Sequence, residues 1–285
     1  MLKSSLVIKS AGAAIEISSQ NKKDIVKLKK STFLKRYIPD GQIVTDMVMD
    51  QKKVDCRLVL HGGSEKLKLN YPQADYYTKK YNEKDIVSLA EYLLERARQE
   101  RGIFCVHGSA CVVNDQAIIF WGGASGMGKT SLSHDLGRKQ WAKWYGDEKI
   151  LIDLRRKTVC GRVATAYIKN GQKNIYQSII GNFSPSIPIA FFVYPFLFKN
   201  SNDRLTWVRW PKEKFYWHLF EELNRKIRAT SRRLFNNQEP IMPIDTIELA
   251  RRRNVLIRGL IKTIPCYYTV GNSHLICGKI KSLIK

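Results

Sequence analysis

Eight consecutive residues carry the sharpest chemical signal in the chain: Gly123, Ala124, Ser125, Gly126, Met127, Gly128, Lys129 and Thr130. They match G-x-x-x-x-G-K-[ST] at every fixed position. At average residue frequencies such a match arises by chance in about one chain in a hundred of this length, so chance is a poor explanation. Glycines free successive backbone N–H groups to point inward and wrap a polyphosphate. The helix that must follow adds partial positive charge at its first turn. Lys129 can then reach the β- and γ-phosphates as a point charge, the Thr130 hydroxyl is placed for Mg²⁺, and Ser131 completes the nucleotide-binding set.

A phosphate loop implies a ligand, not a reaction, so the nearby acids and bases matter. Asp147 and Glu148 follow 17 and 18 positions after Thr130. Two adjacent carboxylates at the C-terminal end of a strand over 142–145, packed beside the loop's own strand, can hold Mg²⁺ or take a proton from a hydroxyl. On spacing alone, a plain surface turn from Gly146 to Lys149 is the competing reading. His107 ends a strand that can lie near the loop, where it can bond a transferring phosphate or orient the base; alone it reads rather as a structural histidine.

The elements that must position these groups are legible in outline. Ala117–Trp121 is an apolar strand leading into the loop, and Ser131–Leu136 continues as a helix ending near Gly137. Ile103–Val106 and Ala110–Val113 are two more continuous apolar runs, the texture of buried strands. Downstream, 149–154, 158–161, 187–194 and 265–270 read as strands, and 211–235 and 244–260 as helices. Upstream, residues 1–80 read as short strands at 6–8, 14–17, 42–44 and 56–60, separated by turn signals, with no sustained helical period. A helix follows, with Asp85 as N-cap and Gly102 as stop; Ile86, Leu89, Ala90, Leu93, Leu94 and Ala97 form its apolar face.

Composition narrows the class. In 285 residues, 44% hydrophobic and 26% charged, disorder cannot dominate. The longest apolar run, Ile189–Phe198, is broken by Pro195 and too short for a bilayer. The N-terminus lacks a secretory apolar region, so a cytoplasmic, soluble protein without a membrane span is expected. Six scattered cysteines form no C-x-x-C pair and read as reduced buried thiols. Lys and Arg number 49 against 25 Asp and Glu, a net charge of +24. Such a surface attracts polyanions. Arg225, Lys226, Arg228, Arg232 and Arg233 on one helix, and Arg251, Arg252 and Arg253 on another, can receive an acidic peptide, a phosphorylated metabolite or RNA; solvated helix faces are the competing reading.

Residues 104–153, FCVHGSACVVNDQAIIFWGGASGMGKTSLSHDLGRKQWAKWYGDEKILID, resemble the catalytic core of HPr kinase/phosphorylase and the wider set of HPr-kinase-related proteins. That family shows His-Gly, a short hairpin, the phosphate loop, a helix and an acidic pair in this order. Weaker similarity extends to IPIAFFVYPF and LIKTIPCYYTVGN. The resemblance implies an α/β (α+β) fold: a β-rich N-terminal lobe, 1–84, then a phosphate-loop-containing, mixed-sheet kinase core like the phosphoenolpyruvate carboxykinase nucleotide domain, 85–285. It implies transfer of the γ-phosphate of ATP to a serine-type hydroxyl, and it makes a homo-oligomer plausible. Lys129 would bind phosphates, Thr130 Mg²⁺, Asp147 would be the base, Glu148 would sit near the metal and His107 near the γ-phosphate. The second acid is Glu148 where the family usually has Asp, and Ser131 stands where Glu is common. No counterpart of the family's later Gly- and Arg-containing loop is present, so a small molecule, peptide or protein other than HPr is the expected acceptor. An RNA kinase and a non-catalytic ATP-binding regulatory module are the rival classes.

Overall fold

The structure is a computed structural model describing residues 4–44, 54–122, 126–170, 173–198, 204–228 and 241–284. It is an α+β chain of two compact units, 1–103 with 224–251 and 104–223 with 252–285. Gly123, Ala124, Ser125, Arg232 and Arg233 lie outside the described residues.

The first unit contains β1 (Ser4–Ser10), β2 (Ala13–Ser19), α1 (Lys22–Lys29), α2 (Thr32–Tyr37), β3 (Gln42–Val44), β4 (Cys56–Gly62), β5 (Lys66–Asn70), β6 (Gln73–Thr78) and α3 (Glu83–Glu100). Its sheet has the order β3-β1-β2-β4-β6-β5. The β2–β4 and β4–β6 pairs are parallel and the rest antiparallel. Period-two burial gives the sheet one core face, as in β1, where Leu6, Ile8 and Ser10 are buried while Ser5 and Lys9 are exposed.

Two helices stand where only strands were expected. Their signal lay in caps rather than period: the Asn21 side chain accepts from the Lys23 N–H and the Ser31 hydroxyl accepts from the Leu34 N–H. Each is too short for a repeating apolar stripe, α1 burying only Ile25 and Leu28 and α2 only Leu34. The cap of α3 is also corrected. Asn82 caps it, while Asp85 is buried and accepts from the Tyr76 hydroxyl at 3.1 Å and the Asn82 amide at 2.7 Å.

The division at 103/104 differs from the expected boundary at 84/85 because α3 buries its apolar face, including Leu89, Leu93 and Ala97, in the core of the first sheet. Residues 224–251 return to that core through Ile227, Ile241, Ile244 and Leu249. The Tyr92 hydroxyl fastens the return, donating to the carbonyls of Ile227 at 2.5 Å and Met242 at 3.0 Å.

The second unit contains β7 (Ile103–Val106), β8 (Gly108–Val113), β9 (Gln116–Trp121), α4 (Lys129–Gly137), β10 (Lys143–Asp153), β11 (Thr158–Val163), β12 (Thr165–Asn170), β13 (Lys173–Ser178), β14 (Ile187–Leu197), β15 (Thr206–Arg209), α5 (Lys212–Arg228), α6 (Ile247–Ile261), β16 (Cys266–Gly271) and α7 (Ser273–Leu283); α5 and α6 run across the division. The main sheet has the order β11-β10-β8-β9-β14-β16-β15, with β7 on β10, and β12–β13 form a separate hairpin. β9, β14 and β16 are mutually parallel. Both sheet faces are covered, which explains the continuous apolar runs. Trp121 and Phe192 point into one core with Phe215 and Leu219 of α5 and Ile257 of α6. Their neighbours Phe120 and Val193 point into the other, with Leu132 and Leu136 of α4 and Ile276 and Ile280 of α7. The last helix, α7, and the edge strand β15 were not anticipated.

All six cysteines are free, five of them buried. Among the described residues no helix is long and apolar enough to cross a membrane.

In the first unit the Arg98 guanidinium is fully buried, bonded to Glu91 and Glu95 at 2.9 Å each and to the Ser10 hydroxyl at 2.7 Å. Removing one partner of a buried pair leaves an uncompensated charge. Arg98→Ala should therefore lower stability by about 3–5 kcal/mol, read from urea unfolding of the full chain. A loss below about 1 kcal/mol, the range of an exposed pair, would show that the network is not desolvated.

Candidate active site

β9 delivers Trp121 and Gly122, and α4 begins at Lys129 after the cap Gly128. Gly128 has φ +92°, left-handed backbone that a β-carbon disfavours, and an added Cβ would lie 2.4 Å from the Leu197 side chain. The Leu197 N–H donates to the Met127 carbonyl at 3.2 Å, so the end of β14 buttresses the turn. The Ser109 hydroxyl of β8 donates to the Lys129 carbonyl at 2.9 Å and pins the first turn of α4. Lys129 is nearly buried, its Nζ donating to the Gly122 carbonyl at 3.0 Å across the turn.

The acidic pair is placed differently from expectation. β10 does not stop at residue 145 but runs to Asp153, and its neighbour is β8, not the loop's strand β9. Asp147 and Glu148 sit within β10 at a register shift: Asp147 pairs with Val163, and regular pairing resumes at Ile150 with Arg162. Glu148 adopts φ +63°, unusual for a residue with a side chain. The resulting bulge separates the two carboxyls, leaving Asp147 buried and the Glu148 side chain about half exposed. The pair is therefore not a plain surface turn.

The groups converge on one cavity of about 410 Å³, lined among others by His107, Gly126, Lys129, Thr130, Asp147 and Glu148. Gly108, Met127, Gly128 and Ser131 complete its wall. The Thr130 hydroxyl lies 3.0 and 3.2 Å from the two Asp147 carboxylate oxygens and donates to them. His107 has its Nδ1 3.0 Å from the Glu148 carbonyl and 3.6 Å from its carboxylate, while its backbone N–H donates to Glu222 at 2.9 Å. Of the expected residues, Gly126 to Ser131, His107, Asp147 and Glu148 are thus brought together.

Burial, and next the negative charge of Glu148, push the Asp147 pKa from 3.8 to about 7. The Thr130 hydroxyl, the Glu148 backbone N–H and the Lys129 ammonium oppose the shift without cancelling it. The arrangement can hold an anion at the turn and exchange a proton at Asp147 near neutral pH.

Sequence reasoning missed the supports: Ser109, Glu222, Leu197 and Gly108. A β-carbon at 108 would come 2.4 Å from the Phe120 carbonyl oxygen, so β8 and β9 approach closely only because this residue is glycine. The Arg and Lys cluster is only partly a solvated face. Lys226 and Arg253 are buried, and Arg228 lies 3.6 Å from Asp245.

Gly108→Ala should force β8 from β9 and cost about 1–3 kcal/mol in thermal or urea unfolding; an unchanged midpoint would refute the close approach. For Asp147, the native state keeps a proton that the unfolded chain releases, so this group makes stability fall as pH rises from about 4 to about 7. Asp147→Asn removes that dependence. Without divalent cations, the variant minus wild-type stability difference should grow over this window and level off above it, measured by melting at successive pH values. A difference independent of pH would show that Asp147 ionises normally.

No protein-family model matches the chain, and no curated protein matches it significantly.

Proposed function

We propose that the second unit is an ATP- and Mg²⁺-dependent phosphotransferase with an alcohol group as acceptor. The fold proposed for it is a phosphate-loop-containing, phosphoenolpyruvate carboxykinase/HPr-kinase-like mixed-sheet core. One observation carries this reading: a buried acid with a pKa near 7 shares a cavity with a Gly-rich turn, a lysine and a helix N-terminus. The resemblance over residues 104–153 supports the same class.

The residues present suit Mg²⁺. Thr130 Oγ1 and the Asp147 carboxylate are hard oxygen donors already at 3.0 Å from each other, and Glu148 offers a second carboxylate at the cavity wall. When bound, the metal would neutralise phosphate charge. Everything else falls to the chain. The turn amides at 126–128 and Lys129 hold the polyphosphate, which requires the Lys129 ammonium to exchange the Gly122 carbonyl for a phosphate oxygen. Asp147 accepts the proton of the acceptor hydroxyl as its oxygen attacks the γ-phosphorus, and ADP leaves. His107 sits beside Glu148 and so positions this wall, near the γ-phosphate. Such transfer depends mainly on placement and charge, which a rigid turn and a buried acid supply.

Purified protein given γ-labelled ATP and Mg²⁺ should pass label to one of free serine and other small alcohols, a cell protein fraction, or RNA. Lys129→Ala should abolish turnover. Asp147→Asn should lose about 10²–10⁴-fold in kcat while keeping ATP affinity. Full activity of Asp147→Asn would remove it as the base. Tight ATP binding with no labelled product from any acceptor would leave a nucleotide-binding regulatory module instead.

A further inference from the structure

The first unit holds a second cleft, of about 550 Å³, that the proposed reaction does not use. Three features of the fold converge on it. β2, β4 and β6 run parallel to one another, and their last residues, Ser19, Gly62 and Thr78, all line it. In open sheets with parallel strands, the crevice at the carboxyl ends is where ligands bind. Helix α1 starts at this end, its cap Asn21 being part of the lining, and α3 starts just beyond Tyr81.

The lining is polarised. Lys27, Lys79 and Lys80, all exposed, are three lysines of the lining. The acid in the lining, Asp24, already accepts from the Ser19 hydroxyl at 3.1 Å and the Asn21 amide at 3.2 Å. His61 is engaged by Asp75 at 2.7 Å. Leu60, Ile86 and Tyr81 give an apolar floor, with the Lys27 ammonium 5.0 Å from the centre of the Tyr81 ring. The Tyr81 hydroxyl oxygen is buried and has no hydrogen-bond partner among the described residues. A buried polar atom of that kind calls for a partner that the described residues do not provide.

We infer that this cleft binds a small phosphorylated metabolite carrying a ring. Lysines capture phosphate as point charges. A floor of one aromatic and two aliphatic side chains suits a ring rather than a bare inorganic anion. The volume suits a small molecule. The site makes the first unit a ligand-binding module, and it is independent of what the phosphate loop does.

Pyridoxal 5′-phosphate is a suitable probe because it joins a phosphate and a ring to an aldehyde. The aldehyde carbon condenses with a lysine amine, water leaves, and borohydride delivers hydride to the C=N bond to fix a secondary amine that peptide mass spectrometry locates. On the full chain, Lys27, Lys79 or Lys80 should be labelled about tenfold faster than the median exposed lysine, a preference of about 1.4 kcal/mol. Excess inorganic phosphate should suppress that preference, and pyridoxal lacking the phosphate should not show it. In the surface variant Lys79→Glu/Lys80→Glu, Lys27 should lose its preference. The inference is overturned if labelling simply follows exposure, if pyridoxal shows the same preference, or if Lys27 reacts equally fast in the double variant. Preferential labelling of Lys129 alone would also overturn it, while leaving the phosphate-loop reading intact.

Discussion

The hydrogen bond from Thr130 to Asp147 is the contact on which the candidate site depends. It joins the first turn of α4, the helix that follows β9, to β10, which β8 separates from β9 in the sheet. In the function proposed above the two would act together, the turn holding the anion and Asp147 accepting the proton. The Ser109 hydroxyl on the Lys129 carbonyl and the Leu197 amide on the Met127 carbonyl fix the same turn from two neighbouring strands. Three strands thus hold one short segment, which is how a glycine-rich turn acquires a defined shape.

The backbone conformation at Glu148 belongs to the same constraint. A residue with a side chain at φ +63° costs on the order of 1–2 kcal/mol relative to an ordinary strand conformation. The bulge it makes allows two consecutive carboxylates to occupy opposite environments, one buried and one exposed. Two adjacent acids facing the same way would repel and titrate together. Here burial, with the charge of Glu148 second, shifts Asp147 toward neutral pH.

The described end of the turn, the helix after it and the apolar strand before it were legible because each follows a local rule: glycine spacing, a glycine stop, a continuous hydrophobic run. The acidic pair was legible as a candidate, but its place was not. Nothing in Trp144-Tyr145-Gly146-Asp147-Glu148 says that the strand continues through a bulge, since bulges are set by pairing with partners far along the chain. The same limit hid β8 between β10 and β9. Sequence adjacency suggests neighbours, but sheet order is decided by which faces can be buried together. Helices α1 and α2 escaped because each buries so few apolar residues, under a lysine-rich surface in α1, while the caps at Asn21 and Ser31 announce them quietly. Arg98 and its carboxylates were invisible, because charged residues on a helix read as solvent-facing until the packing is known.

The return of residues 224–251 to the first unit has a consequence for how the protein is made. Ile227, Ile241, Ile244 and Leu249 belong to a core whose other members lie before residue 98. As the polypeptide emerges during synthesis, the core of the first unit must wait for well over a hundred further residues before its last members arrive. The intervening unit, by contrast, draws on residues from 104 onward and closes with the final strand and helix. Neither half can mature early and wait for the other. A fragment ending near residue 103 lacks Ile227, Ile241, Ile244 and Leu249 of its own core.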